Sequence, residues 1–193
     1  MRRISVLVAL CVCGAQSVFA QSDYAKREVG GTAAILGADT KGAFNNDESR
    51  DGLYGFSLQG AYNISRYWGF KGEFSYFQKH FVPASVDPTS KLTEIMGGIK
   101  LQDNSNSIRF RPFAQALIGV AHTTNLPRVL QENPKTVTLI SGTGPALSLG
   151  GGLDIRLTKD IELRVIQIDY NPVWAKSQTF HNAKIGIGLN VRF

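Results

Sequence analysis

Cysteine is almost missing from this chain. The 193 residues include two, Cys11 and Cys13, and both fall within the first twenty. Beyond them there is no thiol, which excludes a disulfide framework, a cysteine nucleophile and a cysteine-ligated metal. No run of eighteen apolar residues follows residue 20, so no transmembrane helix is expected. Nor does any long stretch place apolar residues at a 3.6-residue period. Basic residues outnumber acidic ones, 21 to 15, but nowhere form a block. That spread argues for lipid phosphates at most, and no nucleic acid is expected as a partner.

The opening twenty residues differ in kind from the rest. Arg2 and Arg3 form a positive start, and Ile4 to Cys13 an apolar run too short to span a bilayer, which takes ~20 residues as a helix. Val18-Phe19-Ala20 then sets short side chains at −3 and −1 of a cut after Ala20. This is the anatomy of a secretory signal. Leu10 and Val12 precede the cysteines where lipid attachment wants a small residue, against a lipoprotein anchor. The expectation is a cleaved signal peptide over 1–20 and one domain over 21–193. Without Arg2 and Arg3, 19 basic and 15 acidic residues remain, a net charge of +4.

What the domain has is alternation with a period of two, the mark of strands with two unlike faces. In the last strand Ala183, Ile185, Ile187, Leu189, Val191 and Phe193 share one face, and Lys184, Gly186, Gly188, Asn190 and Arg192 the other. From Ala146 to Leu157 the pattern repeats. Leu147, Leu149, Leu153, Ile155 and Leu157 oppose Ser148, Gly150, Gly152, Asp154 and Arg156. Six more strands are placed at Val29–Ala38, Gly52–Ile64, Phe70–Lys79, Lys91–Gln102, Ile108–His122 and Ile161–Tyr170. Pro112 costs a ladder hydrogen bond and is expected near a strand start or at a bulge. In the seventh strand the phase breaks, and a bulge near Val165–Ile166 would keep Gln167 and Asp169 on the polar face.

The connections alternate in length. Those at 65–69, 103–107 and 158–160 are short; those at 39–51, 80–90, 123–145 and 171–182 are long. Short turns at one end and long loops at the other mark an eight-stranded antiparallel up-and-down transmembrane β-barrel. A lipocalin-like barrel would turn its apolar face inward, around a ligand. Here the opposite face is charged and rich in glycine. It carries Lys71, Glu73, Glu94, Lys100, Arg109, Arg111, Asp154, Arg156, Glu162, Arg164, Lys184 and Arg192. Lipid penalises such a face, whereas a narrow lumen lets its charges pair. Aromatic residues gather at the strand ends. Tyr62, Tyr67, Trp68, Phe70, Phe110 and Phe193 lie toward the short turns, and Tyr54, Phe56, Tyr76, Phe81, Tyr170 and Trp174 toward the loops, as two interfacial girdles would.

Two segments carry a family resemblance: Arg111-Pro112-Phe113-Ala114-Gln115-Ala116-Leu117-Ile118-Gly119-Val120-Ala121-His122 and Leu149-Gly150-Gly151-Gly152-Leu153-Asp154-Ile155-Arg156. Arg164, Gln167-Ile168-Asp169-Tyr170 and the terminal Gly188-Leu189-Asn190-Val191-Arg192-Phe193 extend it. Together they resemble the outer-membrane β-barrel family that includes the membrane domain of outer-membrane protein A and its small relatives. The resemblance implies an eight-stranded barrel in the outer membrane of a Gram-negative cell, and no particular activity. Its implied partners are outer-membrane lipid, lipopolysaccharide and the barrel-assembly machinery. The terminal Phe193 is similar to the signal that machinery reads. A periplasmic cell-wall-binding domain of the kind outer-membrane protein A carries is not expected.

Chemistry is thinly represented. No catalytic residue, metal-ligand set or cofactor-binding motif is assigned. His80, His122 and His181 all lie in or beside the long loops. His181 and Ser177 could serve a lipid A-modifying enzyme only if the fold brought them into hydrogen-bond reach. Gly150-Gly151-Gly152 reads as strand, not as a phosphate loop, and would permit close packing. An eight-stranded interior is just wide enough for side chains, against a general porin. Two readings stay open: a structural or surface-interaction protein that acts through its long extracellular loops, with an unidentified partner, or a narrow channel or small-ligand-carrying barrel.

Overall fold

In the computed structural model, residues 24–37, 52–80, 89–130, 136–175 and 178–193 are described. The expected leader over 1–20, the 39–51 loop, Phe81 and Ser177 lie outside them. Eight strands run in chain order: β1 Arg27–Gly37, β2 Gly52–Asn63, β3 Trp68–His80, β4 Thr89–Gln102, β5 Phe110–Leu130, β6 Thr136–Arg156, β7 Ile161–Ala175 and β8 Gln178–Arg192. Each pairs antiparallel with its chain neighbour, and β8 pairs with β1 to close the barrel. The ring joins where Arg27 and Phe193 exchange backbone hydrogen bonds of 2.9 and 3.0 Å.

The wall sorts its faces by the strand period. Outward positions carry Val29, Ile35, Leu58, Phe70, Ile95, Ile118, Leu149, Ile168, Ile187 and Leu189, all exposed. Among the described outward positions, charge appears at strand ends, with Arg27 toward the short turns and Lys91 toward the loops. A band of exposed apolar surface between them has no aqueous explanation and fits hydrocarbon. Both girdles also point outward. Tyr62, Tyr67, Trp68, Phe70 and Phe110 are exposed at one end, and Tyr54, Phe56, Tyr170 and Trp174 at the other.

Register irregularities occur where the sequence phase breaks. Leu153 pairs with Ile166 while Asp154 pairs with Arg164, so β7 holds one extra residue at Val165. The β7–β8 ladder shifts at the same place. Val165 and Ile166 both face outward, and Gln167 and Asp169 return to the interior. Pro112 sits at the start of β5, beyond the last β4–β5 partner pair, Gln102 with Phe113, where no β4 carbonyl awaits its missing N–H.

The connection expected over 123–145 is not a loop. β5 and β6 continue as a paired ladder to Leu130 and Thr136. Each strand has 21 residues, about 70 Å at ~3.3 Å per residue. A bilayer crossing takes ~9–11 residues, so this hairpin stands well clear of the wall. The threonines and β-branched residues of Thr136-Val137-Thr138-Leu139-Ile140 explain it, because they favour strand whether or not lipid is present. The expected loop over 171–182 is likewise mostly ladder, from Asn171–Asn182 to Ala175–Gln178.

Candidate functional site

Strand alternation turns a row of polar side chains inward on every strand, and the lumen links them in three tiers. At the short-turn end Glu28 from β1 is the anchor. It pairs with Lys100, accepts a 3.0 Å hydrogen bond from Asn63, and lies 3.9 Å from both Arg111 and Arg192. Glu162 from β7 pairs with Arg111 and lies 3.0 Å from Arg192. The same arginines hold the 103–107 turn under the barrel. Arg111 donates to the Asp103 carbonyl at 2.8 Å and to Asn104 Oδ1 at 2.6 Å, and Arg192 donates to the Asn104 carbonyl at 2.8 Å. Arg156 donates to the Ser105 carbonyl at 2.7 Å and to that of Asn106. Asn104 is 1% exposed, so the turn acts as a stopper. Outside it, Arg66 forks onto Asp103 at 3.0 and 2.8 Å and holds that carboxyl well below the usual carboxylate range.

In the middle tier Arg164 donates to both oxygens of Asp154, at 2.9 and 3.1 Å. It also donates to Gln59 and Gln167, and its guanidinium lies 4.3 Å from the Phe113 ring centroid. Above it, Glu73 pairs with Lys71 at 2.7 Å and with Lys184, which also reaches Asp169 at 3.2 Å. Gln115 joins these by accepting from Lys71 and donating to Asp169. Glu94, fully buried, accepts from Asn171 at 3.0 Å on both oxygens.

Toward the loops the interior changes character. Leu36, Leu53, Phe77, Leu92, Leu117, Val173 and Phe180 are buried inside the wall, with Met96 and several alanines among them. The charged network therefore occupies the part of the lumen toward the short turns, and the outer part is an apolar plug. Near the loops both faces of a strand are apolar, as where inward Phe77 follows outward Phe74 and Tyr76, so the sequence shows no contrast to read.

Of the twelve charged residues expected in the lumen, Lys71, Glu73, Glu94, Lys100, Arg111, Asp154, Glu162, Arg164, Lys184 and Arg192 are buried there, at 3% exposure or less. Arg156 is part-buried at the mouth. Arg109 is not in the lumen. It precedes β5, in the turn that passes beneath the wall, and is exposed. The most connected residue missed was Glu28, one position before the expected start of β1 and in phase with Gly30 and Thr32. Gln59, Asn63, Gln115 and Asn190 carry the network between charges, and their phase within each strand was the available signal.

Three glycines on β6 fit this packing. A Cβ at Gly150 would meet the Ile168 carbonyl at 2.2 Å, and one at Gly152 the Ile166 carbonyl at 2.0 Å, beside the bulge. Two of the histidines, His122 and His181, are engaged in pairs near the outer rim. His122 Nδ1 is 2.8 Å from Thr143 Oγ1, and His181 stacks on Tyr170 and hydrogen-bonds its hydroxyl. Among the described residues no group of histidine and acidic side chains could hold a metal ion.

A sequence model of the outer membrane protein beta-barrel domain matches residues 5–193. Among solved structures, Neisserial surface protein A superposes with a TM-score of 0.60 at 16% identity, covering 86% of this chain and 97% of that one. Ail, the attachment invasion locus protein of Yersinia pestis, solved in complex with the heparin analogue sucrose octasulfate, gives 0.59 at 16% identity, covering 88% and 99%. At that identity the likeness shows the fold. Comparison with curated proteins gives no match.

Proposed function

The chain belongs to the outer membrane protein beta-barrel domain family, and from that premise we propose that it is a surface-interaction protein whose working part is the β5–β6 hairpin. The barrel is its anchor, embedded in outer-membrane lipid and lipopolysaccharide and inserted by the barrel-assembly machinery. The observation that carries the reading is where the β5–β6 ladder outruns its neighbours. The last β4–β5 pair is Lys91 with Thr124, and the outermost β6–β7 pair is Ala146 with Val173. Beyond these, β5 and β6 pair with each other, and among the described residues the edges of Leu126–Leu130 and Thr136–Ile140 have no other ladder partner. Such edges are templates for an added strand.

The lumen supports the same reading. Its side chains are almost wholly shielded from water in all three tiers and in the plug. A through-path wide enough for water would leave a row of them exposed. Transport would require the network and the plug to move together, whereas the hairpin is available as it stands.

The test is to replace residues 125–141 with a tight turn, confirm insertion, and measure adhesion, serum resistance and envelope integrity of the strain. Loss of adhesion or serum resistance with an inserted barrel is the expected result. Unchanged surface phenotypes, together with altered permeability in Arg111→Gln or Glu94→Gln, would favour the channel and overturn the hairpin reading.

A further inference from the structure

The opposite end of the barrel holds a second feature, independent of the hairpin. The short-turn mouth opens into a cavity of about 940 Å³. Arg156 and Arg192 line it from the lumen side, and Lys26, Arg109 and Lys159 line it from the turns, against the carboxylate of Asp160. Arg109 and Lys159 are exposed, and neither forms an ion pair with another described residue. Arg192 is 1% exposed, yet its Nε has no hydrogen-bond partner. Its Nη1 lies 3.0 Å from Glu162 but without hydrogen-bond geometry. The Nε of Arg156 likewise has no hydrogen-bond partner, and lies 3.8 Å from Glu162.

A buried guanidinium with idle donors beside a cationic cavity is an incomplete oxyanion site. The nearest carboxylates do not complete it: Glu28 and Glu162 face four cations, Lys100, Arg111, Arg156 and Arg192, which leaves an excess of positive charge. We propose that this mouth binds a phosphate group, with Arg109 and Lys159 taking its oxygens and the guanidinium groups of Arg156 and Arg192 supplying counter-charge behind them. Arginine suits the task because its planar donors match the spacing of two phosphate oxygens. The cavity also has an apolar side, Ile108, Leu157 and Phe193, and the last two are exposed on the wall itself. A phospholipid headgroup could therefore enter with its acyl chains still against the barrel. Free phosphate has no use for that side.

The experiment uses the full chain in phosphatidylcholine nanodiscs. One arm adds phosphatidylglycerol to the bilayer, and the other adds inorganic phosphate to the buffer. Amide shifts at Ser107, Arg109 and Lys159 and lipid retention by native mass spectrometry are read in both. Arg109→Gln with Lys159→Gln should weaken retention at least about tenfold, as loss of two charge-assisted contacts would. Both side chains are exposed, so the variant keeps its fold. Shifts with phosphatidylglycerol alone support the site with lipid as its source. Shifts with both support it with the free anion as source. No shift in either arm, or equal retention by the double variant, overturns it.

Discussion

Asp154 on β6 and Arg164 on β7 form a two-pronged ion pair, at 2.9 and 3.1 Å, directly beside the extra residue Val165. Both are buried, so neither charge has water to fall back on. Asp154→Ala should destabilise the barrel by about 3–5 kcal/mol, because it strands a buried guanidinium. Asp154→Leu combined with Arg164→Met should lie closer to the parent. Reversible urea unfolding in lipid vesicles compares them. A single variant no worse than the double would show that Arg164 finds water in the lumen.

The outward phase of β8 makes a prediction about solvent. Ile187 is 62% exposed and pairs with Ala33 at the middle of the β1–β8 ladder. Arginine at that position should cost ~2–4 kcal/mol if the face meets hydrocarbon near the midplane. The same unfolding assay reads it, with Ile187→Leu as control. A cost near zero would mean that the outer face is solvated.

How far the sequence could be read depended on contrast between faces. Where a strand alternates Ile or Leu with Lys, Asp or Arg, as along 183–193 and 161–164, its register was readable, and even the Val165 bulge followed from the broken phase. Where both faces are apolar, as at Phe74 to Phe77, the inward plug was invisible. The β5–β6 hairpin was misjudged for another reason. Proline, arginine and threonine at 123–145 suggested a loop, yet a hairpin far from lipid needs only paired backbones and β-favouring residues. Arg109 kept the right phase but lay one position outside the strand that would have turned it inward.

Acid should release the outer clamp on the 103–107 turn. Arg66 depresses the Asp103 carboxyl, so the folded value lies below the unfolded one of ~3.9. A depressed acid contributes its stability fully above the unfolded value and loses it as pH falls toward the folded one. Side-chain carboxyl NMR on Asp103 should therefore show no titration down to pH 3. In Arg66→Gln the midpoint should move up toward the ordinary range. An unchanged midpoint would mean that the Asp103–Ser105 backbone contact, 2.9 Å, sets the shift instead.

Phe193 has two separable roles to test. Its backbone exchanges hydrogen bonds with Arg27 at the β1–β8 join, and its ring is 38% exposed on the short-turn girdle. Deleting Phe193 removes both features, while Phe193→Asp keeps the backbone pair and removes the ring. If the ring is what assembly reads, both variants should stay in the periplasm or be degraded. If Phe193→Asp reaches the outer membrane at normal levels while the deletion does not, the join matters and the aromatic signal does not. Fractionated membranes and heat-modified gel mobility decide between them.

The hairpin is set off from the barrel by one residue, Asn125. Its φ of 52° lies in the left-handed region, and β5 gains an extra residue there relative to β6, between Thr123–Gly142 and Leu126–Ile140. Two serines pin the irregularity. Ser90 Oγ donates to the Asn125 carbonyl at 2.6 Å, and the Asn125 N–H donates to Ser141 Oγ at 2.9 Å. Asparagine tolerates this conformation and glycine adopts it freely, whereas a β-branched residue resists it. Asn125→Gly should therefore leave hairpin and barrel intact. Asn125→Val should cost roughly 1–3 kcal/mol locally, the penalty for forcing a strained backbone. Because the bulge lies at the outer end of the β4–β5 ladder, that cost should fall mainly on the hairpin. Hydrogen exchange should then speed up for amides beyond 125 in the valine variant and stay unchanged in β1 and β8. If exchange rises throughout the barrel instead, the hairpin is not an independent unit, and a surface role carried by it alone loses its structural basis.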